Sequence, residues 1–193
     1  MPRQKITREA VLKSASELVR RGEALNARSI AAELGCSTQP VYSCFRNMDE
    51  LRAELVEEAK RLYRKYIDEY LTHADKNRYE AYGMGFVRFA IEEAGLFRYL
   101  FLSVQKEPMD SLGDPFFEED ILDEMVQLYR MPRETARAFH GDMSVFSYGL
   151  ATLLNTHAVV MSEKEISNAF RREFYALYEY YFPERPRLDR ELK

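Results

Sequence analysis

Apolar residues return every three or four positions along almost the whole chain, and no stretch alternates apolar and polar residues at the period of two that a half-buried strand needs. The pattern predicts helices throughout. Thr7 can cap a first helix with Val11, Ala15, Leu18 and Val19 on one face and Gly22 just past its end. Asn26 caps a second, which turns Ile30, Ala31 and Leu34 inward and stops at Gly35. Ser37 caps a third, with Pro40 in a first turn whose amides have no intrahelical partner. Asn47-Met-Asp-Glu50 resembles a capping box and opens a long fourth helix with Leu51, Leu55, Ala59, Leu62, Tyr66 and Tyr70 at helical spacing, ending near His73. A fifth helix over 77–94 should stop at Gly95, and a short sixth spans 96–102. After a loop from Pro108 to Gly113, Asp114-Pro115 starts a seventh that runs to about Arg130. An eighth begins at Met131-Pro132 and continues to about Val160; a ninth opens on the capping box Ser162-Glu-Lys-Glu165 and reaches Phe182, where Pro183 and Pro186 end it. The expectation is an all-α fold of about nine helices. Its small N-terminal part, residues 1–50, gives way inside the fourth helix to a larger body, residues 51–193.

The second and third helices are short and joined by a tight turn, which is the arrangement of a helix-turn-helix. Gly35 supplies the positive φ that returns the chain, and Ala31 is small enough to let the third helix approach. Ile30, Leu34, Cys36, Val41 and Cys44 would close a miniature core. The opposite face of the third helix then offers Ser37, Thr38, Gln39, Tyr42, Ser43 and Arg46. Hydroxyls, an amide able to pair with adenine, a phenol and a guanidinium are the groups with which a major-groove helix reads base edges and phosphates.

Charge sharpens this picture. The 193 residues carry a formal charge of −4. Residues 1–28 hold seven basic side chains (Arg3, Lys5, Arg8, Lys13, Arg20, Arg21 and Arg28) against three acidic ones, a net of +4 on an otherwise acidic chain. A basic end on an acidic body suits contact with phosphate at one end. The two cysteines, Cys36 and Cys44, form no disulfide framework or metal spacing and read as small core residues. No apolar run approaches the roughly 20 residues of a membrane span, and Met-Pro-Arg-Gln-Lys is not a secretory signal. A cytoplasmic protein is expected.

Residues 6–55 carry Ile6-Thr-Arg-Glu-Ala-Val, Leu25-Asn-Ala-Arg-Ser-Ile-Ala-Ala-Glu-Leu-Gly, Ser37-Thr-Gln-Pro-Val-Tyr-Ser-Cys-Phe and Asp49-Glu-Leu. Over this quarter or so of the chain, the sequence resembles the DNA-binding domain of the tetracycline-repressor (TetR) family. The resemblance implies an all-helical homodimer in which three small helices hold an operator in double-stranded DNA. A larger C-terminal domain would bind a small effector and the partner subunit. Carried onto this sequence, it implies phosphate or groove-edge contact for Arg28 and Ser29, base contact for Thr38, Gln39 and Pro40, and a phosphate anchor at Tyr42. The start of the fourth helix, Asn47–Met48, would meet phosphate through its free amides, with Arg46 beside it. Family members commonly have lysine where this chain has Met48, which predicts weaker and less salt-sensitive binding.

The body is rich in aromatic and methionine side chains, among them Phe97, Phe116, Phe117, Met125 and Met143. Most should be core. Tyr82, Phe86, Phe89, Tyr129, His140 and Tyr148 are candidates to line an apolar effector pocket between helices. His73, His140 and His157 lack metal-ligand spacing, and no phosphate loop or nucleophile motif appears, so neither a cofactor, a metal nor an enzyme activity is expected. Gly149, Ala151 and Ala158 on the eighth helix, with Phe170, Phe174, Leu177, Tyr178 and Tyr181 on the ninth, would form a four-helix interface with a second copy, as the resemblance implies; internal burial of both helices is the alternative. The sequence therefore predicts a homodimeric regulator of transcription, a repressor released by a small molecule that moves the sixth helix and tilts the fourth. The alternative is an all-α ligand carrier or enzyme with a vestigial helix-turn-helix.

Overall fold

A computed structural model describes residues 6–74, 78–103 and 118–184. The expected loop from Pro108 to Gly113, the Asp114-Pro115 helix start, Arg3, Lys5, Phe116, Phe117 and Pro186 lie outside the described residues. Within them the chain is all-helical: α1 (Arg8–Arg20), α2 (Ala27–Glu33), α3 (Gln39–Cys44), α4 (Met48–His73), α5 (Arg78–Glu92), α6 (Ala94–Phe97), α7 (Glu118–Tyr129), α8 (Arg133–Asn155) and α9 (Glu163–Tyr181), with a π-helical turn over Arg98–Leu102. The chain divides into two compact units. The first takes the described residues up to Leu62 together with those from Glu93 to 103; the second takes Tyr63–Glu92 and the described residues from 118 onward.

In the first unit, local signals set both ends of α1 and α2. The Thr7 hydroxyl accepts from the Ala10 amide at 3.2 Å, and Asn26 Oδ1 accepts from the Arg28 and Ser29 amides at 3.0 Å each. α1 and α2 close in the same way. Gly22 (φ 72°) and Gly35 (φ 62°) take the left-handed conformation. The following amides, of Glu23 and Cys36, reach back to the Leu18 and Ala31 carbonyls at 2.9 Å. Val11, Ala15, Leu18, Ile30, Val41, Leu51 and Leu55 form the buried core. Phe45 joins them, whereas Leu34, Cys36 and Cys44, expected there, are half-buried. α3 begins at Gln39 after Thr38, whose hydroxyl makes no capping bond, rather than after a Ser37 cap.

Gly95 does not stop a helix, as the sequence pattern had suggested. It lies within α6 and lets that helix press on the end of α1: a Cβ built there would stand 2.2 Å from the Val19 carbonyl oxygen and 2.5 Å from that of Arg20. An Arg20–Glu93 ion pair at 3.3 Å spans the same contact.

The second unit packs α5 against α8, with α7 and α9 completing the layer. The buried row of α4 runs at strict four-residue spacing through Leu51, Leu55, Ala59, Tyr63 and Ile67. Leu62, Tyr66 and Tyr70, expected on that face, are half-buried at its margin, since the i+4 row drifts slowly around a helix of 3.6 residues per turn. α8 ends at Asn155, not near Val160. His157 adopts φ 56°, and the Ala158 amide returns to the Leu153 carbonyl at 2.9 Å. Ala158, Val159 and Val160 are therefore exposed turn residues, and Ala158 lies off α8. α9 has the expected capping box, with the Glu165 amide donating to the Ser162 hydroxyl and the Ser162 amide to the Glu165 carboxylate.

Candidate nucleic-acid face and ligand cavity

α3 packs its inner side, Val41 and the following Phe45, into the first unit and leaves its other side open. Tyr42 is 53 % exposed on the open side, beside exposed Ser37, Gln39 and Ser43; Thr38 and Pro40 are half-buried. The Ser43 hydroxyl donates back to the Gln39 carbonyl at 3.0 Å. On α2, Arg28 is exposed and makes no ion pair among the described residues, and Ser29 is half-buried. Arg46 and Asn47 are exposed at the α3–α4 corner, where Asn47 Oδ1 caps α4 by accepting from the Glu50 amide at 2.8 Å. Glu50 reaches back one residue farther than a capping box would, accepting from the Arg46 amide at 2.7 Å and its guanidinium at 3.3 Å. Those bonds, with one from Arg8, hold the Glu50 carboxyl below the usual range.

Arg8 is a structural cation. Its guanidinium lies 3.9 Å from the Phe45 ring centre, donates to the Cys44 carbonyl, and pairs with Glu54 at 2.5 Å and Glu50 at 3.1 Å. Arg21 likewise spans Glu23 and Glu33. Over Met1–Leu62 and Glu93–Val104 the sequence has twelve basic and ten acidic side chains, so acidic residues of α2 and α4 offset part of the basic character counted over residues 1–28.

The second unit holds a partly open, mainly apolar cavity of about 60 Å³. Of the pocket candidates, Tyr82, Phe86, Tyr129, His140 and Tyr148 line it. Phe89 does not; it is fully buried 5.2 Å from the Tyr63 ring and 5.6 Å from that of Tyr66. Tyr63, Tyr79, Glu80, Arg171, Phe174 and Tyr175 also line the cavity and were not anticipated. The four-residue row of α4 could have pointed to Tyr63. Nothing local marks Glu80 or Arg171. The Tyr79 hydroxyl and His140 Nδ1 are 3.1 Å apart in the buried wall, and Glu80 accepts from Arg171 at 2.9 Å and from the Ser167 hydroxyl. Burial, then the nearby carboxylates Glu124 and Asp120, push the Tyr82 hydroxyl up to about 12. Burial, then Glu124, pushes Tyr129 to about 12, and burial lifts Tyr79 well above the usual range. These phenols are therefore hydrogen-bond donors at neutral pH.

The α9 stripe expected to meet a partner instead packs into its own unit. Phe170 and Phe174 line the cavity, Tyr178 is buried, and the Tyr181 hydroxyl donates to Asp142 at 2.7 Å. The exposed apolar surface of these helices is Val145, Gly149 and Leu153 on α8 and Tyr180 on α9. No helix among the described residues is long and apolar enough to cross a membrane.

These features define an all-α chain with a helix-turn-helix unit and a separate cavity-bearing helical unit. Its backbone is similar to that in the crystal structure of the multidrug binding protein EbrR complexed with imidazole, with a TM-score of 0.59 over 86 % of this chain and 93 % of that one, at 14 % identity. At that identity the likeness establishes the fold. No protein-family profile and no curated protein matches the sequence.

Proposed function

We propose that this chain is a ligand-responsive, DNA-binding regulator of transcription, a repressor that holds a palindromic operator as a homodimer and is released by a small molecule. The observation that carries the reading is the outward face of α3, where Tyr42, Gln39 and Ser37 stand exposed on a helix whose other side is locked into the core. Thr38, Gln39 and Pro40 would meet base edges, and Tyr42, Arg28, Ser29, Arg46 and Asn47 would meet phosphate or groove edge. The exposed Val145, Gly149 and Leu153 on α8, with Tyr180 on α9, are the proposed dimer surface. In a dimer the two α3 helices must stand roughly 34–36 Å apart to enter successive major grooves.

The effector would occupy the cavity lined by Tyr82, Phe86, Tyr129, His140 and Tyr148. α4 belongs to both units, and α5 passes at Glu92 directly into the α6 segment that packs on α1. A ligand that prefers one arrangement of these helices shifts the population between DNA-competent and incompetent states, and operator and effector then oppose each other reciprocally. Selection of bound sequences from a random duplex library should yield a palindrome with half-sites about one helical turn apart. A library with no enriched sequence, or a chain that stays monomeric by light scattering at micromolar concentration, refutes the reading. The second reading, an all-α ligand carrier or enzyme with a vestigial helix-turn-helix, draws on the small net charge of the first unit and on Met48, and the same selection decides between them.

A further inference from the structure

One residue of the cavity wall differs from the others. Among the described residues that line it, Arg171 alone is exposed, with 43 % of its side chain open to solvent; the rest are buried or half-buried. A side chain that faces both cavity and solvent marks the mouth. Arg171 and Tyr175, one helical turn apart, also line a groove along α9 with Asn168, Arg172, Ala176 and Glu179. The mouth therefore lies beside α9, at Arg171.

Two contacts join α9 to α5 at this place. The first is apolar: a Cβ built on Gly83 of α5 would stand 2.7 Å from Cε1 of Phe170, so the helices meet there as closely as the ring allows. The second lies one turn earlier on α5 and is polar. Ser167 and Arg171, four residues apart and so on one face of α9, both donate to Glu80. The Ser167 hydroxyl takes Oε1, and the Arg171 Nε takes Oε2 at 2.9 Å. Both carboxylate oxygens are thus engaged by α9, which suits closure of the wall. The two ends of the pair are unequal. Glu80 is 12 % exposed and anchored by Ser167, whereas the Arg171 guanidinium already reaches water. Arg171 can swing outward at small cost, taking its aliphatic stem out of the mouth, and the carboxylate left behind keeps the Ser167 donor.

We infer that small molecules enter and leave the cavity between α5 and α9, past Arg171, and that the Arg171–Glu80 pair is the latch on that path. The inference rests on the reading of the cavity as the ligand site for its consequence: the latch sets how fast an effector is taken up and let go, while the apolar walls set how tightly it is held.

Thiol labelling of the full chain tests this with neither ligand nor DNA. Ser144, buried in the cavity wall on α8, is replaced by cysteine as the reporter. Ala151, also buried on α8 but outside the wall, is replaced in a separate chain as the reference. Reaction with methyl methanethiosulfonate is followed peptide by peptide by mass spectrometry, which keeps Cys36 and Cys44 apart from the introduced thiol. Arg171→Met keeps an apolar stem but breaks the pair. It should speed labelling of the Ser144→Cys thiol about tenfold, the scale of a lost charge-assisted bond, and that of the Ala151→Cys thiol less than about twofold. Raising the salt from about 0.05 to about 1 M should speed the reporter in the parent and leave it unchanged in Arg171→Met, because only the pair is screened. Glu80→Gln should accelerate the reporter similarly, with the double variant no faster than either single one; it also serves if Arg171→Met does not melt cooperatively. Equal acceleration of both thiols reports loosening of the whole unit and overturns the latch. A reporter rate unchanged in both single variants overturns it as well. Duplex selection reads the other claim. A latch that behaves as expected on a chain that selects no duplex keeps the path and refutes the regulator; a selected palindrome with both thiols accelerating alike keeps the regulator and refutes the latch.

Discussion

Adding one methyl group at Gly95 should damage the protein more than its size suggests. The new Cβ would sit 2.2 Å from the Val19 carbonyl oxygen, 2.5 Å from that of Arg20 and 2.6 Å from the Arg20 Cα, all backbone atoms at the end of α1. No side-chain rotation relieves this, so ordinary contact at 3.4 Å requires the two backbones to part by about 1 Å. Overpacking of a close contact costs about 1–3 kcal/mol, and clashes with backbone belong at the upper end. The better helix propensity of alanine returns up to about 1 kcal/mol, leaving a net loss near 2. At 2–4 °C per kcal/mol for a chain of this length, Gly95→Ala should lower the melting temperature by about 4–8 °C. Gly149→Ala is the matched control, because its Cβ meets nothing within 4 Å on an exposed face of α8. Within one chain only the propensity term operates there, worth about 1–4 °C upward, and a fall instead would be the mark of Gly149 in the dimer contact proposed above. Circular dichroism melts at 222 nm read both. A Gly95→Ala protein melting within 1 °C of the parent, or above it, would show that α6 and α1 do not approach as closely as described.

Three further expectations follow from the same geometry. On the proposed regulator reading, Met48→Lys adds one phosphate contact at the start of α4 and should steepen the slope of log K against log salt by about 0.9, measured by fluorescence anisotropy on the selected duplex; an unchanged slope would place residue 48 off the DNA. Ser162→Ala removes the hydroxyl half of the capping box and should cost about 1 kcal/mol, seen as a melting temperature lower by about 2–4 °C. Phenolate absorbance at 295 nm should show Tyr82, Tyr129 and Tyr181 titrating near 12, the first two through burial and Tyr181 through its bond to Asp142. Their folded-state values lie above the unfolded value near 10, so the stability they contribute is full below about pH 10 and lost as pH rises toward 12. Tyrosines that all titrate together near 10 in the folded protein would contradict the described burial.

The first unit was legible because its instructions are local. Asn26 lies two and three residues from the amides it caps, and Gly35 sits where the chain must turn. The cavity drew on other information. Its wall joins Tyr63, Tyr79, His140 and Phe174, residues scattered over four helices, and an aromatic on a helix face looks the same in sequence whether it fills a core, lines a cavity or meets a partner. That ambiguity sent Phe170 and Phe174 to an expected interface when the chain uses them itself. The end of α8 misled for a different reason: a histidine, not a glycine, takes the left-handed position, and the apolar run Ala158-Val159-Val160 imitates about one more helical turn.

Counting charges along the sequence also says less than pairing them in space. Residues 1–28 are basic by count, yet Arg8 and Arg21 are bound to carboxylates brought in by α2 and α4. The two kinds of cation near α3 differ in what a phosphate could draw away. Arg8 is held by a carbonyl, a ring face and two carboxylates, and moving it would uncover Phe45 and leave Glu54 unpaired. Arg46 is 87 % exposed and held by one long contact at 3.3 Å, an arrangement worth about 0–1 kcal/mol. If Arg46 turned outward, Glu50 would keep the Arg46 amide and Arg8 as donors. On the proposed reading, then, duplex contact falls to Arg28, Arg46 and the neutral donors Tyr42, Gln39 and Ser37, while Arg8 holds the corner from which they project. With so few exchangeable cations among the described residues, contact through this face should depend weakly on salt and draw a larger share of its free energy from base edges.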